Sequence, residues 1–160
     1  MDKNQIMIQF LMGCPIIQEK PLFFNFAEEE DDTNHFVSVS DDENTTKEFV
    51  DGSKLKQYTF QIISYKSLAH NPIREANIIA DENLENMANV RGIMEWINQQ
   101  GENKSFPNFG NGYIIESMQA INTDPSLNGV DTSVDPPLAQ YSITVRITYL
   151  DQTKMIWSTT

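Results

Sequence analysis

Between Ala139 and Tyr149 every second residue is apolar. Ala139, Tyr141, Ile143, Val145, Ile147 and Tyr149 alternate with Gln140, Ser142, Thr144, Arg146 and Thr148. This is the period of a strand with one buried and one wet face. From Leu138 to Leu150 it would run roughly 40 Å at ~3.4 Å per residue, against ~17–20 Å for a usual strand. Two readings follow. The strand bends at a bulge within its own core, or it projects past its domain and buries its apolar face on a neighbouring subunit. On the second reading Tyr141, Ile143, Val145, Ile147 and Tyr149, with Trp157 just beyond, are candidate subunit-interface residues.

The same period recurs upstream. Over residues 55–65, Tyr58, Phe60, Ile62 and Ser64 alternate with Thr59, Gln61, Ile63 and Tyr65. Residues 21–26 predict a strand with Leu22, Phe24 and Phe26 on one side, and residues 35–41 one with Val37 and Val39 opposite Phe36. A further strand is expected over 110–122. "AEEEDDTN" and "DDENTTKEFVDGSK" read as polar connectors, the second holding a short strand at 47–49 and a turn at Asp51-Gly52. Asp151-Gln152 is the expected turn of a terminal hairpin with "KMIWS".

Helical spacing appears twice. Residues 2–12 place Ile6 and Phe10 on one face, in line with Ile17 and beside Met7 and Leu11, before Gly13 and Pro15 end the run. In residues 81–100 Leu84, Met87, Val90, Met94 and Ile97 recur at helical intervals, with Asp81 as expected N-cap and Gly101 as expected stop. The proline- and glycine-rich segment 123–137 reads as a loop too long for a compact domain unless it has a function or is disordered. Asp124, Pro125, Asn128, Asp131 and Asp135 are its candidate partner-facing residues. Strands in runs joined by turns, rather than alternating with helices, predict a single α+β domain over 1–160: a mostly antiparallel sheet with helices packed on one face.

Charge narrows the function. The 160 residues carry 11 Lys and Arg against 23 Asp and Glu, a net charge of −12. Nucleic-acid binding depends on cations that neutralise phosphates, so none is expected. An acidic surface would instead let DNA slide past. Cys14 has no partner for a disulfide and reads as a buried, inert thiol in a reducing cytoplasm. "LMGC" matches a lipoprotein cleavage box, but the preceding "MDKNQ" and its short, glutamine-broken apolar run do not suit a signal peptide. No segment approaches the ~20 apolar residues of a membrane span.

No catalytic chemistry is legible in the motifs. "EEEDD" and "DDE" are carboxylate clusters of the kind that bind Ca²⁺, but they lack EF-hand spacing and read as solvated runs. His35 and His70 have no partner at metal-ligand spacing. "GNG" at 110–112 lacks the rest of a phosphate loop and reads as a turn. Trp96 and Trp157 read as packing residues. No catalytic, cofactor-binding or metal residue is therefore expected, and a small enzyme or ligand-binding module is the alternative reading.

Four segments in order, "QYTFQIISYKSL", "NLENMANVRGIMEWINQQ", "FPNFGNGYIIESMQAI" and "AQYSITVRITYLD", resemble small tail-associated or minor capsid proteins of long-tailed phages and prophages of Gram-positive bacteria. The resemblance spans Lys56 to Trp157, about two-thirds of the chain. Its order of elements is also similar to the tail-terminator fold. That resemblance implies a virion protein, present in host cytoplasm during assembly. It would form a hexameric ring that caps the tail tube and joins it to the head. Its partners would be itself and the tail-tube and neck proteins. DNA would pass without specific binding, and another neck or tail-completion role is the near alternative.

Overall fold

The structure, a computed structural model, describes residues 2–18, 22–24, 31–68 and 76–154, with backbone alone at 40–44 and 76–84. In chain order come helices α1 (Lys3–Leu11) and α2 (Pro15–Gln18) and strands β1 (Leu22–Phe24), β2 (Thr33–Glu48) and β3 (Lys54–Ser67). Helix α3 (Ala76–Glu102) precedes strands β4 (Tyr113–Ala120), β5 (Ser126–Asp131) and β6 (Leu138–Asp151). The sheet runs β1-β2-β3-β6-β4, with β5 also on β6. Only β1 pairs in parallel, with β2. The fold is α+β, as the grouped strand patterns predict.

The long alternating segment is the central strand, and it neither bulges against β3 nor projects. β3 matches β6 in unbroken register from Lys54–Asp151 to Ser67–Leu138. On its other side two shorter strands lie end to end, β4 along Val145–Asp151 and β5 along Leu138–Ser142. The gap between them is stitched. The Ile121 amide donates to the Thr144 carbonyl (2.8 Å), and the Thr144 amide donates to Asn122 Oδ1 (2.8 Å). A buried strand cannot leave such groups unpaired without cost, so Asn122 completes the ladder where the backbone turns away.

All three helices cover one face. Pairing places Tyr58, Phe60 and Ile62 of β3 beside Ile147, Val145 and Ile143 of β6, all fully buried. Each such side chain contributes up to ~1.5–3 kcal/mol. Over them lie Met7, Leu11, Cys14 and Ile17 from α1 and α2, and Val90, Ile93, Met94 and Ile97 from α3. The buried stripe of α1 is thus Met7 and Leu11, with Ile6 and Phe10 only partly covered. An Asp2–Gln5 capping box starts α1, and the Tyr58 hydroxyl donates to Asn4 Oδ1. The Lys3 ammonium sits 4.6 Å from the Tyr113 ring centre.

Three expected boundaries move. β2 runs on through the residues read as a connector, because Asn44, Thr45, Lys47 and Glu48 resume pairing with β3 beyond Asp41–Glu43. Register shifts between Ser38 and Ser40, Ser40 and Asn44, and Thr45 and Lys47 break the alternation that would have revealed it. α3 begins at Ala76 rather than after Asp81. A cap-type residue marks a start only when the helix cannot extend before it, and "ANIIA" holds neither glycine nor proline. At its other end Gly101 remains helical, and Lys104 (φ 56°) takes the left-handed C-terminal position. The Ser105 amide closes onto the Gln100 carbonyl (2.9 Å). Gly101 serves another purpose: a Cβ there would lie 2.0 Å from the Met118 carbonyl oxygen. The expected second strand of the terminal hairpin lies, beyond Lys154, outside the described residues.

Candidate functional site

The expected interface on β6 is interior. Tyr141, Ile143, Val145, Ile147 and Tyr149 are at most 4 % exposed within this one chain, and burial pushes the Tyr141 phenol up from its ordinary pKa. Helices of the same chain cover them, so no neighbour reaches that face. Trp157 lies outside the described residues.

The segment read as one long loop contains β5, which narrows it to a connection of 132–137 before β6. Asn128 and Asp135 are exposed, whereas Pro125 is buried and so faces no partner. Asp124 meets Arg91 of α3 at 2.9 Å. Asp131 Oδ1 accepts from the Ser133 amide at 2.9 Å, closing the turn after β5.

The free edge shared by β4 and β5 is protected along one and bare along the other. At β4, Asn98 Oδ1 of α3 takes the outward Ala120 amide (2.8 Å), while Gly101 lets the helix lie against the Met118 carbonyl. A groove of about 380 Å³ between Asn98, Glu102, Lys104 and Glu116–Ala120 follows this seam. At β5 no described helix comes over the edge. Leu127 and Val130 are 54 % and 42 % exposed, and Gly129 has open space around it.

The sheet face opposite the helices is polar along its central strands. Arg146 lies between Thr59 of β3 and Gln119 of β4, half-buried, and its Nε is buried with no hydrogen-bond partner. The nearby Gln61 amide is already given to the Thr144 hydroxyl (3.1 Å). Toward the β1 edge the same face carries an aromatic group. Buried His35 stacks with Phe23 (5.2 Å), meets the Tyr65 ring edge-on (5.3 Å), and shares a hydrogen bond with Thr33 (3.1 Å).

The remaining candidates fall away from one another. Cys14 is fully buried, and Trp96 packs on Phe10 at 5.3 Å. Gly110 and Gly112 (φ 108° and 86°) form the turn into β4. Of the acidic runs, Asp31 accepts from the Ser67 amide and Asp32 pairs with Lys66. Glu28–Glu30, the side chains of Asp41–Glu43, and His70 lie outside the described residues. Among the described residues no three His, Cys, Asp or Glu converge as metal ligands, and no described helix is long and apolar enough to cross a membrane. Sequence reasoning missed both the bare β5 edge and Arg146. The available signal for Arg146 was a single charge on the polar side of an otherwise uncharged alternating strand.

No protein-family model matches the chain, and no curated protein sequence matches it.

Proposed function

We propose that the chain is a structural subunit of a long-tailed phage, a tail terminator that assembles into a ring, caps the tail tube and joins it to the head. The observation that carries the reading is the bare edge of β5. Proteins normally blunt such edges with a covering helix or with charges; among the described residues α3 does so at β4, and no helix does so at the adjoining β5. An open edge with Leu127 and Val130 beside it suits docking of a neighbouring ring or tube subunit by strand addition or apolar contact. The net charge of −12 suits a passage through which DNA moves without sticking. Interrupting the gene in an inducible prophage tests the proposal through tail lengths in negative-stain electron micrographs. Overlong tails of scattered length, detached from filled heads, are expected. Normal tails joined to heads would refute it.

A further inference from the structure

Among the described residues Arg146 forms no ion pair. It projects from the middle of the central strand onto the sheet face that no described helix covers. Outward positions of β3 and β6 carry no other charged residue. Its cross-strand neighbours, Thr59 and Gln119, supply no carboxylate. A guanidinium has five donors and no acceptor, and here one of them, Nε, is buried and unused. A forked, permanently charged group on an open sheet face suits a carboxylate arriving from outside, which would meet its terminal Nη donors rather than the buried Nε.

The far side of the same subunit offers carboxylates. On α3, away from the buried Val90, Ile93, Met94 and Ile97, Glu85 and Glu95 are exposed. Arg91 on the same helix is engaged by Asp124. One face therefore bears Arg146 on its central strand, and the opposite face bears the α3 acids. Packing the helix layer of one copy on the sheet face of the next satisfies both, and does so head to tail, the contact type that closes into rings. Extent is adequate. Four strands at ~4.8 Å spacing and ~45 Å long give a face of roughly 850 Å², near the ~800 Å² per partner of a standard stable interface. A phosphate polymer suits the site less, because a chain of net charge −12 repels it at long range.

We propose that the open sheet face centred on Arg146 docks the acidic back of α3 from a second copy of this chain. The choice of occupant rests on the reading of the chain as a ring subunit. Sedimentation velocity of the purified full chain across a concentration series tests it, alongside Arg146→Gln and the double Glu85→Gln, Glu95→Gln variant. The wild type is expected to associate, and less so as salt rises from ~50 to ~500 mM. Each variant is expected to associate at least about tenfold more weakly while keeping the wild-type circular dichroism and melting temperature. A wild type that stays monomeric throughout overturns the proposal, as does Arg146→Gln associating like wild type. Loss in Arg146→Gln alone would overturn α3 as the carboxylate donor. A monomer that binds duplex DNA through Arg146 would replace the second copy with a polyanion. Tail length in the prophage is scored separately, so this contact and the tail reading can fail independently.

Discussion

Gly101→Ala should reverse the usual sign of a glycine-to-alanine change in a helix. In an unencumbered helix alanine is favoured by ~1 kcal/mol. Here the new methyl would lie 2.0 Å from the Met118 carbonyl oxygen and 3.1 Å from its carbon, whereas relaxed carbon–oxygen contacts sit near ~3.3–3.6 Å. The obstacle is backbone of a paired strand, so α3 must withdraw by roughly 1 Å or more to restore that contact. Withdrawal strains the Asn98–Ala120 bond of 2.8 Å. Losing it would leave the amide unpaired at a cost of ~1–3 kcal/mol. It also loosens Met94 and Ile97 from the sheet, for which overpacking typically costs ~1–3 kcal/mol. After the propensity gain the net loss is about 1–5 kcal/mol. For a chain of this size that lowers the melting temperature by about 2–20 °C. Urea unfolding followed by far-ultraviolet circular dichroism measures it. Gly129→Ala, with open space around the site, serves as a control expected within about 0.5 kcal/mol of wild type. A Gly101→Ala protein as stable as wild type would refute the close packing of α3 on β4.

Asn122→Ala removes the acceptor that holds the Thr144 amide between β4 and β5; it should cost ~1–3 kcal/mol and speed hydrogen exchange at Thr144. Partial burial alone would raise the Asp151 pKa. Hydrogen bonds from Lys56 and Thr153, with the Lys56 charge 2.8 Å away, outweigh that and hold it at about 2, below its ordinary 3.8. A depressed folded value stabilises the protein above the unfolded pKa and loses that contribution as pH falls through about 2. The stability gap between wild type and Asp151→Asn should therefore be about 2 kcal/mol near neutrality and shrink below pH 4, as read from urea midpoints. Cys14, fully buried, should react with a thiol reagent in urea and not in native buffer on the same timescale.

The parts of the fold legible in the sequence are those where burial dictates residue type. β3 and β6 sit at the centre of the sheet; inward positions are apolar from Tyr58 to Ile62 and from Ala139 to Tyr149, and there the period of two is plain. The distal half of β2 is held by backbone pairing to β3 alone, and its bulges erase the period. β5 is shorter still. With almost every residue exposed, "SLNGVD" carries no burial pattern, and its asparagine and glycine read as turn. The interface expected on β6 was wrong for the same reason the strand was easy to see, since strong alternation reports burial without saying whose atoms provide it. Arg146 and the α3 glutamates are far apart in sequence, and only the topology places them on opposite faces.

The position of β6 in the chain also governs when the protein can fold. Three strands wait for it: β3 on one flank, β4 and β5 on the other, with Lys54 paired to Asp151. On the ribosome these partners all emerge before the strand that joins them. The early β2–β3 hairpin and the apolar stripe of α3 therefore have no completed sheet to cover while synthesis continues. Pairings this distant in sequence close slowly, and an exposed apolar nascent chain is prone to aggregate. A polypeptide cut before Leu138 would lack the strand that β3, β4 and β5 share, leaving chaperones or proteases to deal with it rather than yielding a smaller native form.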